Sequence, residues 1–171
     1  VGSVRRWVDG TQEAAKRMQQ LISQMLTLSD VERPDAALSM HPVDLAAIAT
    51  KAALEMESIA YEKRVTIETA FPEECTLRSN ADYLQRIISS LLENALKYEP
   101  TGGCVRMTLV QEKRRVRLSV QNFGSTIPEE DLPHVFDRFY RSDKSRKNES
   151  GSFGLGLAIT KEMVEKLGGQ I

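Results

Sequence analysis

The sequence lacks a long hydrophobic run. No apolar stretch approaches the ~20 residues that a membrane-spanning helix needs, and the first residues do not carry the pattern of a secretion signal. The segment is therefore expected in the cytosol, with a membrane anchor left open for a longer parent protein. Surplus positive charge is also missing. Lys plus Arg total 23 against 24 Asp plus Glu, a net charge of −1, and backbone-directed binding to nucleic acid needs a basic surplus. Cysteine occurs twice, at Cys75 and Cys104, in separate strand-like segments and far from any CxxC spacing. Neither a disulfide framework nor a thiolate metal site follows, and a reducing compartment is expected. Histidine also occurs twice, at His41 and His134.

What is present is the composition of a soluble globular protein: 41% hydrophobic and 27% charged over 171 residues. That length suits one medium domain, or one domain with a small appendage. Both ends are expected to be cut from a longer chain. Val1 is not a start methionine, and the sequence stops at Leu167-Gly168-Gly169-Gln170-Ile171, where a helix has ended at a glycine cap and a strand is about to begin.

Val4, Trp7, Thr11, Ala14, Met18, Leu21, Met25 and Leu28 recur at alternating spacings of three and four, a heptad seam on one long helix. Such a seam needs a partner helix, from this chain or a second copy; the alternative is packing on the core of its own domain. Ser29 to Pro42 reads as a connector, since the helix must end before Pro34. Asp44 to Lys63 reads as one helix, Val65 to Phe71 and Glu74 to Ser79 as strands, and Ala81 to Tyr98 as a helix capped by Ser79 or Asn80. Val105 to Val110 and Val116 to Val120 read as a hairpin. Ile127 to Tyr140 is irregular with a short helix, Arg141 to Ser152 is polar, and Gly154 to Leu167 is a final helix. Helices and paired strands without regular alternation indicate an α+β sandwich.

Three stretches carry chemistry. Asn94 and Lys97 share a helix face; an amide oxygen beside an ammonium suits a metal-bound polyphosphate, although a solvated helix face looks similar. Asn122-Phe123-Gly124-Ser125-Thr126-Ile127-Pro128 follows an apolar strand and offers a polar side chain beside a close backbone approach; an ordinary turn uses the same residues. Gly151-Ser152-Phe153-Gly154-Leu155-Gly156-Leu157 leads into a helix whose first N–H groups make an anion site. It is neither a P-loop, lacking the Gly-Lys-Ser/Thr ending, nor a Rossmann turn, lacking a strand directly before it. The polar run before it, with Arg141, Lys144, Arg146 and Lys147, reads as a lid able to bring positive charge over phosphates.

The order of these stretches, with Val135-Phe136-Asp137-Arg138-Phe139-Tyr140-Arg141 between the second and third, resembles the nucleotide-binding domain of bacterial sensor histidine kinases. That fold is shared with DNA gyrase, MutL proteins and the large heat-shock chaperones, and the Phe-Tyr-Arg run points to the kinase branch. The resemblance covers Leu38 to Ile171, while Val4 to Leu28 resembles the second helix of the kinase dimerisation hairpin. It implies a two-layer α/β sandwich of the Bergerat ATP-binding type preceded by a long coiled-coil-like helix. Residues 1–33 would be the dimerisation helix and 38–171 the catalytic domain without its final strand.

The implied function is binding of Mg-ATP and transfer of its γ-phosphoryl group to a histidine of the dimerisation domain. Asn94 would ligate magnesium, Lys97 would contact phosphate or the pocket wall, and Tyr98 would pack on adenine. Asn122 would bond the adenine amino group, with Gly124 giving the base room. Arg141 and Lys144 would meet the terminal phosphate, and the backbone of Gly154 and Gly156 would hold phosphates. Ile127, Leu155 and Leu157 complete the nucleotide-binding set, and Phe136 and Phe139 would anchor the lid to the core. The implied partners are ATP, a response regulator docking on the first helix, and a second copy through that helix. The implied location is the cytoplasmic side of a parent in the bacterial cell membrane.

Four positions depart from the family pattern. Asn122 stands where many members have aspartate, at a cost on the order of 1 kcal/mol from the lost charge-assisted bond. Thr126 and Ser152 replace glycines, and Ser90 replaces an asparagine where hydrolytic relatives carry a glutamate base. Neither His41 nor His134 has the setting of a phosphoacceptor, so the chain has no catalytic histidine of its own and is not expected to autophosphorylate. These departures keep two alternatives in view: a regulatory module with weak nucleotide binding, and a hydrolytic ATPase of the gyrase or chaperone type, the latter disfavoured because serine is a poor base.

Overall fold

In the computed structural model the described residues are 2–33, 38–113, 115–124, 126–141 and 153–171. Helix α1 (Gly2–Glu32) is followed by β1 (His41–Asp44), α2 (Leu45–Glu55), α3 (Glu57–Lys63), β2 (Thr66–Ala70) and β3 (Thr76–Ser79). Then come α4 (Ala81–Tyr98), the hairpin strands β4 (Cys104–Glu112) and β5 (Arg115–Asn122), a 3-10 turn at Leu132–His134, and α5 (Gly156–Lys166).

Two sheets form. β1 pairs antiparallel with β3, His41 opposite Ser79 and Asp44 opposite Thr76. β4 sits centrally in the second sheet, parallel to β2 and antiparallel to β5. The hairpin runs from Val105 opposite Asn122 to Glu112 opposite Arg115. One side of this sheet is covered by helices. Leu45, Ala49, Ala52, Ala53, Ile88, Leu92, Ala95 and Leu96 bury against Val105, Met107 and Leu109 in one core. The expected two-layer α+β arrangement is what forms.

Helix α4 starts where Asn80 accepts a bond from the Tyr83 N–H at 3.0 Å, satisfying one of the donors that a helix start leaves open. Its apolar residues occupy two faces. Ile88, Leu92 and Leu96 meet the sheet. Ile87, with Tyr83 and Leu91 beside it, meets a second core made of Leu28, Val31, Leu155, Ile159 and Met163. Helix α5 ends as its glycines foretell: Gly168 adopts φ +76, its N–H bonds the Glu165 carbonyl, and the Gly169 N–H bonds the Val164 carbonyl. That double bond pattern closes a helix only when a residue tolerates the left-handed region.

The seam of α1 divides. Leu28 and Val31 are buried and Leu21 is partly buried against α5, within this chain. Trp7, Met18, Ile22, Met25 and Leu26 are at least half exposed, Trp7 at 77%. Val4 belongs to a turn whose side chains lie outside the described set. The end of α1 is also tied by charge. Arg138 pairs with Glu32 and lies 3.7 Å from Glu162, and Lys166 Nζ donates to the Arg33 carbonyl. No helix among the described residues is long and apolar enough to cross a membrane.

Two sequence expectations need correction. The connector from Ser29 to Pro42 contains the start of a strand, because β1 is completed by pairing with β3 more than thirty residues later. Its Pro42 is tolerated in a two-stranded edge position. The single helix expected over Asp44 to Lys63 breaks at Met56 into α2 and α3. Asp44 is the cap rather than a first-turn residue: its Oδ1 accepts from the Ala46 N–H at 3.0 Å and the Cys75 N–H at 3.1 Å. These bonds, the Cys75 one foremost, hold its carboxyl below the ordinary carboxylate range.

Leu92 is fully buried and Leu26 is 62% exposed. Leu92→Ala is expected to cost about 2–5 kcal/mol and Leu26→Ala less than about 0.5 kcal/mol, both read by denaturant unfolding. Equal losses would contradict the assigned core.

Candidate functional site

The last two turns of α4 carry Asn94, Lys97 and Tyr98, each half-buried. The Asn94 side chain makes no hydrogen bond among the described residues. The Lys97 ammonium lies 5.3 Å from the centre of the Tyr98 ring. Burial first, and then the positive charge of Arg141, push its pKa below the ordinary lysine value of 10.5. Lys97 and Arg141 are therefore neighbours, two cations gathered at one edge. Glu93, on the same turn, has its carboxyl raised by partial burial.

The end of β5 faces this edge. Burial alternates along the strand, so Asn122 lies on the side of Val116, Leu118 and Val120, which pack toward the helices. The turn after it is held by a residue that sequence reasoning missed. Glu99 is 4% exposed. Its Oε2 accepts from the N–H groups of Phe123 at 2.7 Å and Gly124 at 3.0 Å, and its Oε1 from that of Cys104 at 3.2 Å. A charged residue between a helix end and Pro100-Thr101-Gly102-Gly103 reads as a solvated turn, and nothing in the local spacing signals a bond 24 residues away. The room that Gly124 provides is taken up by Pro100, whose Cδ would lie 1.8 Å from a Cβ at that position. Thr126 and Ile127 are exposed, Ile127 at 47%.

The start of α5 closes the third side. Gly154 has φ +72, and a Cβ there would meet the Tyr140 carbonyl oxygen at 2.6 Å. The Phe139 N–H donates to the Gly154 carbonyl at 3.0 Å. The Phe-Tyr segment is thus strapped to α5 through backbone. The Phe139 ring is 59% exposed, contrary to the expectation that it anchors to the core; its own φ of +62 accompanies that outward placement, and Phe136 alone is partly buried. Leu155 is fully buried with Ile159 and Met163, so only its backbone is available to a ligand. Among the described residues no side chain caps the start of α5 at Gly156, and the first-turn N–H groups with the positive end of the helix dipole suit an anion. It is docked on α4 by Thr160, whose hydroxyl lies 2.9 Å from the Ser90 hydroxyl.

Ser90 sits one turn before Asn94, so the uncapped helix start, the amide, Lys97 and Arg141 fall along one edge. That donor set suits a polyphosphate. Lys144 and Ser152 lie outside the described residues. His134 pairs with Asp137 at 2.7 Å and stacks near Tyr140, and His41 bonds the Ser39 hydroxyl.

Residues 79–171 match the family of histidine kinase-, DNA gyrase B- and HSP90-like ATPases. The chain belongs to that family. Its relatives include the sensor protein SphS of Synechococcus elongatus, 33% identical over 96% of this chain, and the sensor histidine kinase WalK of Bacillus subtilis, 32% identical over 97%. The chain spans 42% and 28% of those two proteins, less than half their length. Among solved structures, full-length ShkA in complex with AMPPNP superposes with a TM-score of 0.81 at 25% identity, over 96% of this chain and 34% of that one. The likeness to sensor histidine kinases extends through α1, beyond the residues shared across the ATPase family.

The depressed Lys97 fixes a sign. Between its folded pKa and 10.5 the unfolded chain binds more protons, so this group makes stability rise with pH there, and its cost is fully present at neutral pH. Lys97→Met is therefore expected to raise the thermal midpoint at pH 7, as followed by calorimetric melting. The gain should shrink toward pH 10. A lower midpoint at pH 7 would contradict the assigned crowding of cations.

Proposed function

We propose that the chain binds Mg-ATP along the edge formed by α4, the end of β5, Arg141 and the start of α5. In the parent protein this ATP would donate its γ-phosphoryl group to a histidine of the dimerisation hairpin, in the manner of a two-component sensor kinase. The observation that carries the proposal is the uncapped start of α5, set against Ser90 one helical turn from the unbonded Asn94 amide.

In this reading the α5 N–H groups, through the backbone of Gly154, Leu155 and Gly156, receive phosphate oxygens. Lys97 and Arg141 neutralise their charge, joined by Lys144 from the segment before α5. Tyr98, Ile127 and Leu157 offer apolar contact to the base, and the Asn122 amide oxygen accepts from its amino group. Asn94 is the ligand this chain offers to magnesium; the ion, when bound, draws the phosphate oxygens together and offsets their charge. A metal held mainly by phosphate and water fits a chain in which no group of three acidic, histidine or cysteine ligands occurs among the described residues. Transfer of this kind depends on positioning and charge neutralisation rather than on a nucleophile from the domain. A hydrolytic reading is not favoured, because the Ser90 hydroxyl is engaged with Thr160 and is a poor base. Nor is the regulatory reading, since the donors for a polyphosphate lie along one edge.

The division at residues 34–37, with 1–33 as dimerisation helix and 38–171 as catalytic domain, belongs to the same proposal. So does pairing of two copies through Trp7, Met18 and Met25, exposed residues of the seam. The response regulator would dock on α1, where a cleft of about 370 Å³ opens beside the start of α4, lined by Leu26, Asp30, Tyr83 and Arg86 among others. The chain would lie on the cytoplasmic side of a membrane-anchored parent.

Calorimetric titration with a non-hydrolysable ATP analogue tests the site. Binding should require magnesium and weaken by more than about tenfold, or about 1.4 kcal/mol, in Asn94→Ala. Magnesium-independent binding, or an unaffected variant, would refute the assigned role.

A further inference from the structure

Glu99 is left unexplained by phosphate transfer. A buried carboxylate is tolerated only where its oxygens are well bonded, and among the described residues this one accepts three bonds, all from backbone N–H groups. Two of them belong to Phe123 and Gly124, immediately past Asn122, the last residue of β5 paired with β4. Their N–H groups have left the sheet ladder, and the Glu99 carboxylate satisfies them. Two glycines are fitted around it. A Cβ at Gly103 would lie 2.0 Å from Oε1 of Glu99, and one at Gly124 would overlap Pro100, its neighbour.

We infer that Glu99 is a positioning residue for the base-reading end of the nucleotide site. It fastens the backbone that follows Asn122 to the end of the helix that carries Asn94, Lys97 and Tyr98, and so fixes where the Asn122 amide stands at the end of β5. The inference rests on the nucleotide-binding reading. Its physical content is a division of labour. Glu99 bonds only the turn beyond Asn122 and the start of β4, whereas the phosphate donors lie on α5 and at Lys97 and Arg141. Discrimination of adenine from guanine depends on the fixed height of a hydrogen-bonding group; phosphate affinity does not.

The test uses the full chain with magnesium. ATP affinity is measured by calorimetry and GTP affinity by competition, for wild type, Glu99→Ala and Glu99→Gln. Glu99→Ala should weaken ATP about tenfold, as loss of charge-assisted bonds predicts, and leave GTP unchanged. Glu99→Gln, which retains one acceptor oxygen for the Phe123 and Gly124 pair, should recover part of the preference. The amide protons of those two residues should move upfield in both variants. Equal losses for ATP and GTP in a folded variant, or no loss, would overturn the inference. Should Glu99→Ala fail to fold, the wild-type amide spectrum decides: ATP must shift the Phe123 and Gly124 signals and inorganic tripolyphosphate must not, and equal shifts would overturn it. A wild-type chain that binds no ATP would instead sink the nucleotide reading, and the wild-type titration separates the two failures.

Discussion

The two-sided burial of α4 is the constraint on which the rest of the structure depends. One face, through Ile88, Leu92 and Leu96, closes the sheet core. The other, through Ile87 with Tyr83 and Leu91, holds α5 and the end of α1. A helix gripped on both sides has little freedom to roll, because close-packed interiors resist even small displacements. Its remaining edge presents Asn94 and Lys97 at fixed height. The Ser90–Thr160 contact then registers the start of α5 one turn away, and Glu99, just past the helix end, registers the turn after β5. The site is an outcome of packing rather than of any one loop.

The same packing links the site to α1. Leu28 and Val31 share a core with Leu155, the residue before α5, and Arg138 joins Glu32 to the segment strapped onto Gly154. A shift of α1 along its axis would disturb the contacts that seat α5. The part of the α1 seam that this chain leaves exposed from Trp7 to Met18 is the part farthest from those contacts.

What could be read from the sequence was what local period and capping determine. The span of α4 and a cap at Ser79 or Asn80 were legible, because apolar residues at helical spacing follow side chains that cap well; the structure selects Asn80. The hairpin of β4 and β5 was legible from alternation, and the shared face of Asn94 and Lys97 followed from the helical period. What was hidden depends on distant partners. β1 exists because Thr76 to Ser79 come back beside it. The break at Met56 interrupts a run whose apolar spacing is continuous. Glu99 is a turn residue by composition and a buried clamp by tertiary contact, and the exposed Phe139 ring follows from a backbone twist that its side chain does not announce.

The most direct test of the account is to follow the backbone amide signals of the whole chain while Mg-AMPPNP is added. Nucleotide bound along this edge should shift signals concentrated at Asn94 to Tyr98, Asn122 to Gly124, Arg141 and Gly154 to Leu157. Shifts centred instead on the cleft between α1 and the start of α4, with those residues unmoved, would contradict it.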